Sequence, residues 1–144
     1  MITEWVISVS KTIGGIFRRM TELKELLLVV ILSFPLNAYS VDWYKVGEEN
    51  GNTFFVDMDD IKKENGFVYY WELVDLKEAI FGALSKISKF KANCENKEKA
   101  MLSTTSYTGQ MGKYILINEA EYDGTKFSDA SLSITAKFAC KRAN

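Results

Sequence analysis

Apolar positions along the chain fall into three patterns. Leu26-Leu27-Leu28-Val29-Val30-Ile31-Leu32-Ser33-Phe34 is a nearly continuous apolar run. From Asp42 to Ala120, short runs rich in β-branched and aromatic residues alternate with turn clusters, which predicts strands. From Ser128 onward, Leu132, Ala136 and Cys140 recur at every fourth position with Ala139 beside them, which predicts a helix.

The strands are predicted over Asp42–Val46, Thr53–Asp57, Phe67–Val74, Ala83–Asn93, Lys99–Tyr107 and Lys113–Ala120. Turn chemistry separates them: Glu48–Asn52, Asn65-Gly66, Glu95–Glu98 and Asp123-Gly124. Leu76–Gly82 reads as a connection, Thr108–Gly112 as a loop, and Asp57–Lys63 as a strand end followed by a helical turn. Phe67–Val74 is apolar at nearly every position, as expected of a central strand covered on both sides. Ser128 is the expected N-cap of the terminal helix and Asp129 suits its positive end. Lys137, Lys141 and Arg142 suit its negative end. The fold class is α+β: an antiparallel sheet of about six strands with one C-terminal helix packed on one face.

The apolar run carries an address. Lys24 precedes it, Pro35 and Asn37 break it, and Ala38-Tyr39-Ser40 places small residues at the first and third positions. A charged start, an apolar centre and an A-x-A-like site are the layout of a secretory signal peptide. The run is shorter than the roughly 20 residues a membrane-spanning helix needs. Residues 1–40 are therefore expected to be a signal peptide cleaved between Ser40 and Val41, with Met20 an alternative start. A retained anchor and a twin-arginine reading of Arg18-Arg19 are the alternatives. Val41 stands where a lipoprotein would carry its cysteine, so no lipid anchor is expected.

Composition narrows the chemistry. The 144-residue chain contains no histidine, which removes the usual general base and the commonest metal ligand. Residues 41–144 carry 14 Lys and Arg against 16 Asp and Glu, with no basic stripe to attract nucleic acid. No catalytic constellation stands out, and neither a cofactor nor a metal is expected. Asp57, Asp59 and Asp60 are acidic neighbours. An EF-hand would need Gly where Lys62 stands and an acid where Val68 stands. They read instead as a helix-starting cap. Gly109 and Gly112 lack the following helix of a phosphate loop and read as loop flexibility.

Two cysteines remain. Cys94 ends the fourth predicted strand on the face of Phe90 and Ala92, and Cys140 lies on the helical stripe. A Cys94–Cys140 bridge would pin the helix to the sheet. The alternative is a redox-active pair, which usually takes the spacing Cys-x-x-Cys.

The order of short aromatic motifs resembles a known family. Trp43, Val46-Gly47, Phe55-Val56-Asp57 with Ile61-Lys62, Trp71-Glu72-Leu73, Ser85, Leu102-Ser103, Tyr107 and a terminal helical Cys are similar to the surface-adhesin protein E-like family of proteobacteria. The resemblance spans about Trp43 to Cys140, so 41–144 is read as one such domain. It implies an exported domain, periplasmic, secreted or at the surface of a Gram-negative cell. It also implies binding of a host or extracellular-matrix protein. Strand aromatics alternate between faces and one helix covers one face, so part of them should form an exposed patch. Trp43, Tyr44, Tyr69 and Trp71 are the candidate residues. The expected function is a non-enzymatic binding module. The alternative is a periplasmic accessory protein that forms a homodimer or supports envelope assembly.

Overall fold

A computed structural model of the chain describes residues 41–131 and 133–144. The predicted signal peptide through Ser40, and Leu132 of the predicted helical stripe, lie outside the described residues.

Eight strands form one antiparallel sheet: β1 (Trp43–Glu49), β2 (Asn52–Asp57), β3 (Lys62–Glu64), β4 (Phe67–Ile80), β5 (Ala83–Asn93), β6 (Glu98–Tyr107), β7 (Leu116–Glu121) and β8 (Phe127–Asp129). The order is β1-β2-β4-β5-β6-β7, with β3 beside β4 and β8 beside β6. Among the described residues, one α-helix, α1 (Ile134–Ala143), follows the sheet. Three hairpins have two-residue turns with positive φ at both positions: Asn50-Gly51, Asn65-Gly66 and Phe81-Gly82. That geometry suits the right-handed twist of the flanking strands.

Paired residues share a face, so the register sorts side chains. Val56, Val68, Tyr70, Phe90 and Ala92 point to the face that α1 covers and form the core with Ala130, Ala136 and Ala139. The helix is fastened at both ends. At its start, Ser133 caps α1 by accepting from the Ala136 N–H at 3.2 Å. Thr135 Oγ1 donates to the buried Glu72 carboxylate, and Lys99 Nζ sits 3.6 Å from the same oxygen. Lys99 also lies 4.0 Å over the Phe90 ring. Near the helix end, Cys140 is bonded to Cys94. The bridge is therefore the helix staple that the stripe and strand face predict.

Several boundaries differ from the sequence reading. The helix begins at Ile134, and Ser128 and Asp129 belong to β8, where Phe127–Asp129 pairs with Glu98–Ala100. Asp129 accepts from the Ser131 N–H at 2.8 Å instead of serving a helix. The predicted connection at Leu76–Gly82 is mostly strand, because β4 runs on through a register shift to Ile80. That shift erases the alternation by which a strand is recognised. Asp59 and Asp60 cap no helix: the chain turns there and Lys62–Glu64 folds back on Phe67–Tyr69. Near the other edge, β7 starts at Leu116 instead of Lys113, after Tyr114 in the left-handed region.

Gly109 and Gly112 sit in a fastened segment, not in a free loop. Ser85 Oγ donates to Gly109 O at 2.5 Å and accepts from the Gly112 N–H at 3.0 Å. The Met111 N–H donates to Asp75 Oδ1 at 2.7 Å. Gly112 has φ 66°, where a side chain would be strained, and a Cβ there would also meet Ile87 Cδ1 at 2.6 Å. This turn covers one end of the second sheet face, where Leu73 and Ser85 are fully buried. β4 is thus covered on both sides only over part of its length.

Candidate functional site

The rest of the second face is open. Strand alternation and register bring Trp43, Phe67, Tyr69, Trp71, Lys89 and Lys91 to it. Each is partly exposed. Trp71 lies at the centre of a polar and cationic frame. Its Nε1–H donates to Asp60 Oδ2 at 3.0 Å, and Lys89 Nζ is 5.2 Å from its ring centroid. Lys91 Nζ lies 4.5 Å from the Phe67 ring and 5.2 Å from that of Phe127. The two phenylalanines stack at 5.9 Å. Lysine ammonium groups at ring faces are held by the ring quadrupole, about 0.5–1 kcal/mol each at exposed sites.

The acidic cluster frames this face and is not a metal cage. Asp60 pairs with Lys62, whose hydrogen bond holds the Asp60 carboxyl below the usual carboxylate range. The Trp71 N–H acts in the same direction. Asp57 is 8% exposed, and burial raises its carboxyl above the ordinary value, partly offset by the bond it accepts from the Asp59 N–H. Among the described residues, no group of three or more His, Cys, Asp or Glu side chains is placed to hold a metal.

Of the four aromatics singled out from the sequence, the structure brings Trp43, Tyr69 and Trp71 to the open face. Tyr44 is on the other side, stacked on Phe138 of α1 at 5.2 Å. Odd and even positions of β1 face opposite ways, so Trp43 and Tyr44 cannot share a patch. Phe67, Phe127, Lys89 and Lys91 were not singled out. Lys89 and Lys91 do carry a signal, since period two in the predicted strand puts both on one face. Phe127 carries none, because it joins the face through β8, which pairs across 27 residues of sequence with Ala100.

Beside the disulfide, a cleft of about 270 Å³ opens between α1 and the β5–β6 turn. Ala92, Ala130, Ala136 and the two cysteines wall it, with Lys97 and Lys137 also on its lining.

A family model described as surface-adhesin protein E matches residues 43–141. Among solved structures, crystal form II of Haemophilus influenzae protein E is similar, at 19% identity and a TM-score of 0.47, covering 62% of this chain and 81% of that one. Protein E from non-typeable Haemophilus influenzae is similar at 16% identity and a TM-score of 0.48, covering 75% and 78%. No curated protein sequence matches the chain.

Proposed function

The chain belongs to the surface-adhesin protein E family, and on that premise we propose that it is an exported, non-enzymatic binding protein that holds a protein ligand on its open sheet face. The observation that carries this reading is the Phe67–Tyr69–Trp71 row with Lys89 and Lys91 lying against its rings. Aromatic side chains at a partly exposed face supply large contact area at small entropic cost, and interface hot spots are enriched in them. Lysines resting on rings can swing to carboxylates of an arriving ligand. The ligand class is therefore a protein surface combining apolar and acidic residues, as a host or extracellular-matrix protein could present.

The test is biolayer interferometry of the purified protein against immobilised extracellular-matrix proteins, with albumin as the blank. Saturable binding is expected, weakened at least tenfold by Trp71→Ala and by Lys89→Ala with Lys91→Ala, at unchanged circular dichroism. No binding above albumin across the panel would remove the adhesin reading. The second reading, an envelope accessory protein acting as a homodimer, is favoured by the exposed apolar edge at β7. Light scattering separates the two, because a mass that stays monomeric at high concentration counts against the homodimer.

A further inference from the structure

We infer that the outer edge of β7, with the Phe81 hairpin tip beside it, takes up an extended polypeptide segment as an added strand, apolar at one end and basic at the other. The pairing edge lies three strands beyond Trp71, although Glu121 projects on the same sheet face, in the row Trp71–Lys89–Ser103–Glu121. β7 ends the strand order, and no described residue pairs with its outer edge. Tyr114, Ile115, Leu116 and Ile117 are 85%, 70%, 47% and 43% exposed in succession. The hairpin tip adjoins them, since a Cβ on Gly82 would lie 3.8 Å from Ile117 Cδ1. Phe81 at that tip is 99% exposed.

The turn chemistry marks this region as unusual within the same molecule. Two of the three two-residue hairpins place Asn before Gly, the pair that best accepts left-handed φ. The third places Phe81 there at φ 48°, and Tyr114 sits at φ 69°. A bulky residue in the left-handed region is strained, and neither ring recovers the cost by burial. The two sheet edges also differ. β1 and β7 each carry a register shift, at Lys45–Gly47 and at Ile117, but only β1 adds a lysine-bearing ion pair, Lys45–Glu48, which discourages an added strand. β7 contains neither Lys nor Pro.

Charge chooses the occupant. Leu116, Glu119 and Glu121 share one face through Tyr107, Thr105 and Ser103. A second copy pairing antiparallel along all of β7 would set Leu116 against the carboxylate of a second Glu121. A segment with Lys or Arg opposite Glu121 and Glu119, then apolar residues opposite Ile117 and Leu116, satisfies the whole edge.

The probe is a fluorescein-labelled peptide, Lys-Thr-Lys-Thr-Val-Val-Val, titrated with the full chain by fluorescence anisotropy. Saturable binding is expected, weakened at least tenfold by Glu119→Lys with Glu121→Lys. Backbone N-methylation of alternate peptide residues should abolish it. Phe81→Asn should weaken binding at least threefold while raising the thermal midpoint, which separates lost contact from lost folding. Trp71→Ala should leave peptide binding unchanged. The inference is overturned by an unsaturated titration at millimolar peptide, by equal affinity of the double variant, or by loss of binding on Trp71→Ala. A molecular mass that doubles with concentration and that the peptide does not reverse would also overturn it, by assigning the edge to a second copy.

Discussion

Severing the Cys94–Cys140 bridge is expected to remove about 4 kcal/mol of stability. The two cysteines are 46 residues apart in sequence. Closing a loop of that length in the unfolded chain removes roughly 13–14 cal/mol/K of entropy on the chain-entropy account, which is about 4 kcal/mol at 25 °C. That is a large share of the 5–15 kcal/mol typical of a domain. The structure adds a local reason for a full effect: the bridge holds the last turns of α1, while the Glu72–Thr135–Lys99 contacts hold its first turn. Without the bridge, the last turns keep only packing contacts, the Tyr44–Phe138 stack and Ala139 in the core. The assay is urea unfolding of the oxidised protein beside the Cys94→Ala, Cys140→Ala double variant, followed by circular dichroism. With a slope of about 1–2 kcal/mol/M, the midpoint should fall by roughly 2–4 M. A fall of less than about 0.5 M at unchanged slope would refute the argument. It would mean either that the unfolded chain is already compact or that α1 holds through its first turn and packing alone.

Two further outcomes follow from the buried charges. Glu72→Ala should cost about 3–5 kcal/mol, because it leaves Lys99 without its carboxylate in a largely buried setting. Adding Lys99→Ala should cost less than the sum of the single changes, and additive urea midpoints would refute the pairing. Asp57 has a folded-state pKa above its unfolded value, so its charged form opposes folding at neutral pH and that cost fades as pH falls through the folded pKa. Asp57→Asn should therefore raise the urea midpoint at pH 7 and lose that advantage at pH 3. A variant that is more destabilised at pH 7 than at pH 3 would refute the burial argument.

What the sequence made legible follows from the range of the interactions involved. Periodicity over a few residues located β2, β5, β6 and the helical stripe, and it put Cys94 and Cys140 on faces that could meet. It missed β3 and β8, each three residues long, because such strands exist only through their partners. It misplaced the helix start for the same reason, since Ser128 caps as well as Ser133 in isolation but is already used by β6. In the sequence, Glu72 is the one acid of Phe67–Val74. Its role depends on Thr135 and Lys99, which lie 63 and 27 residues away in the chain. The open face was only half legible: Tyr69 and Trp71 follow from alternation, but the lysines become part of a site only when register sets them on rings.

The division of the sheet into covered and open parts is a matter of size. A ten-residue helix is about 15 Å long, whereas the 14 residues of β4 extend to about 46 Å. One helix of that length shields only part of one face. The fastened turn at Gln110–Gly112 shields one end of the other. The remaining surface must be tolerable in water, and the chain meets this in two ways. Thr104, hydrogen-bonded with Ser88, and Thr105, on the Ile87 carbonyl, place hydroxyls at partly exposed positions. On the open face and at the β7 edge the chain keeps aromatic and aliphatic groups exposed instead, including two in strained backbone conformations. Hydroxyls would have served solubility equally well at those positions. On the readings proposed above, these exposed apolar groups are where the domain meets other molecules: the β4 rings on the open face and the aliphatic run at the β7 edge.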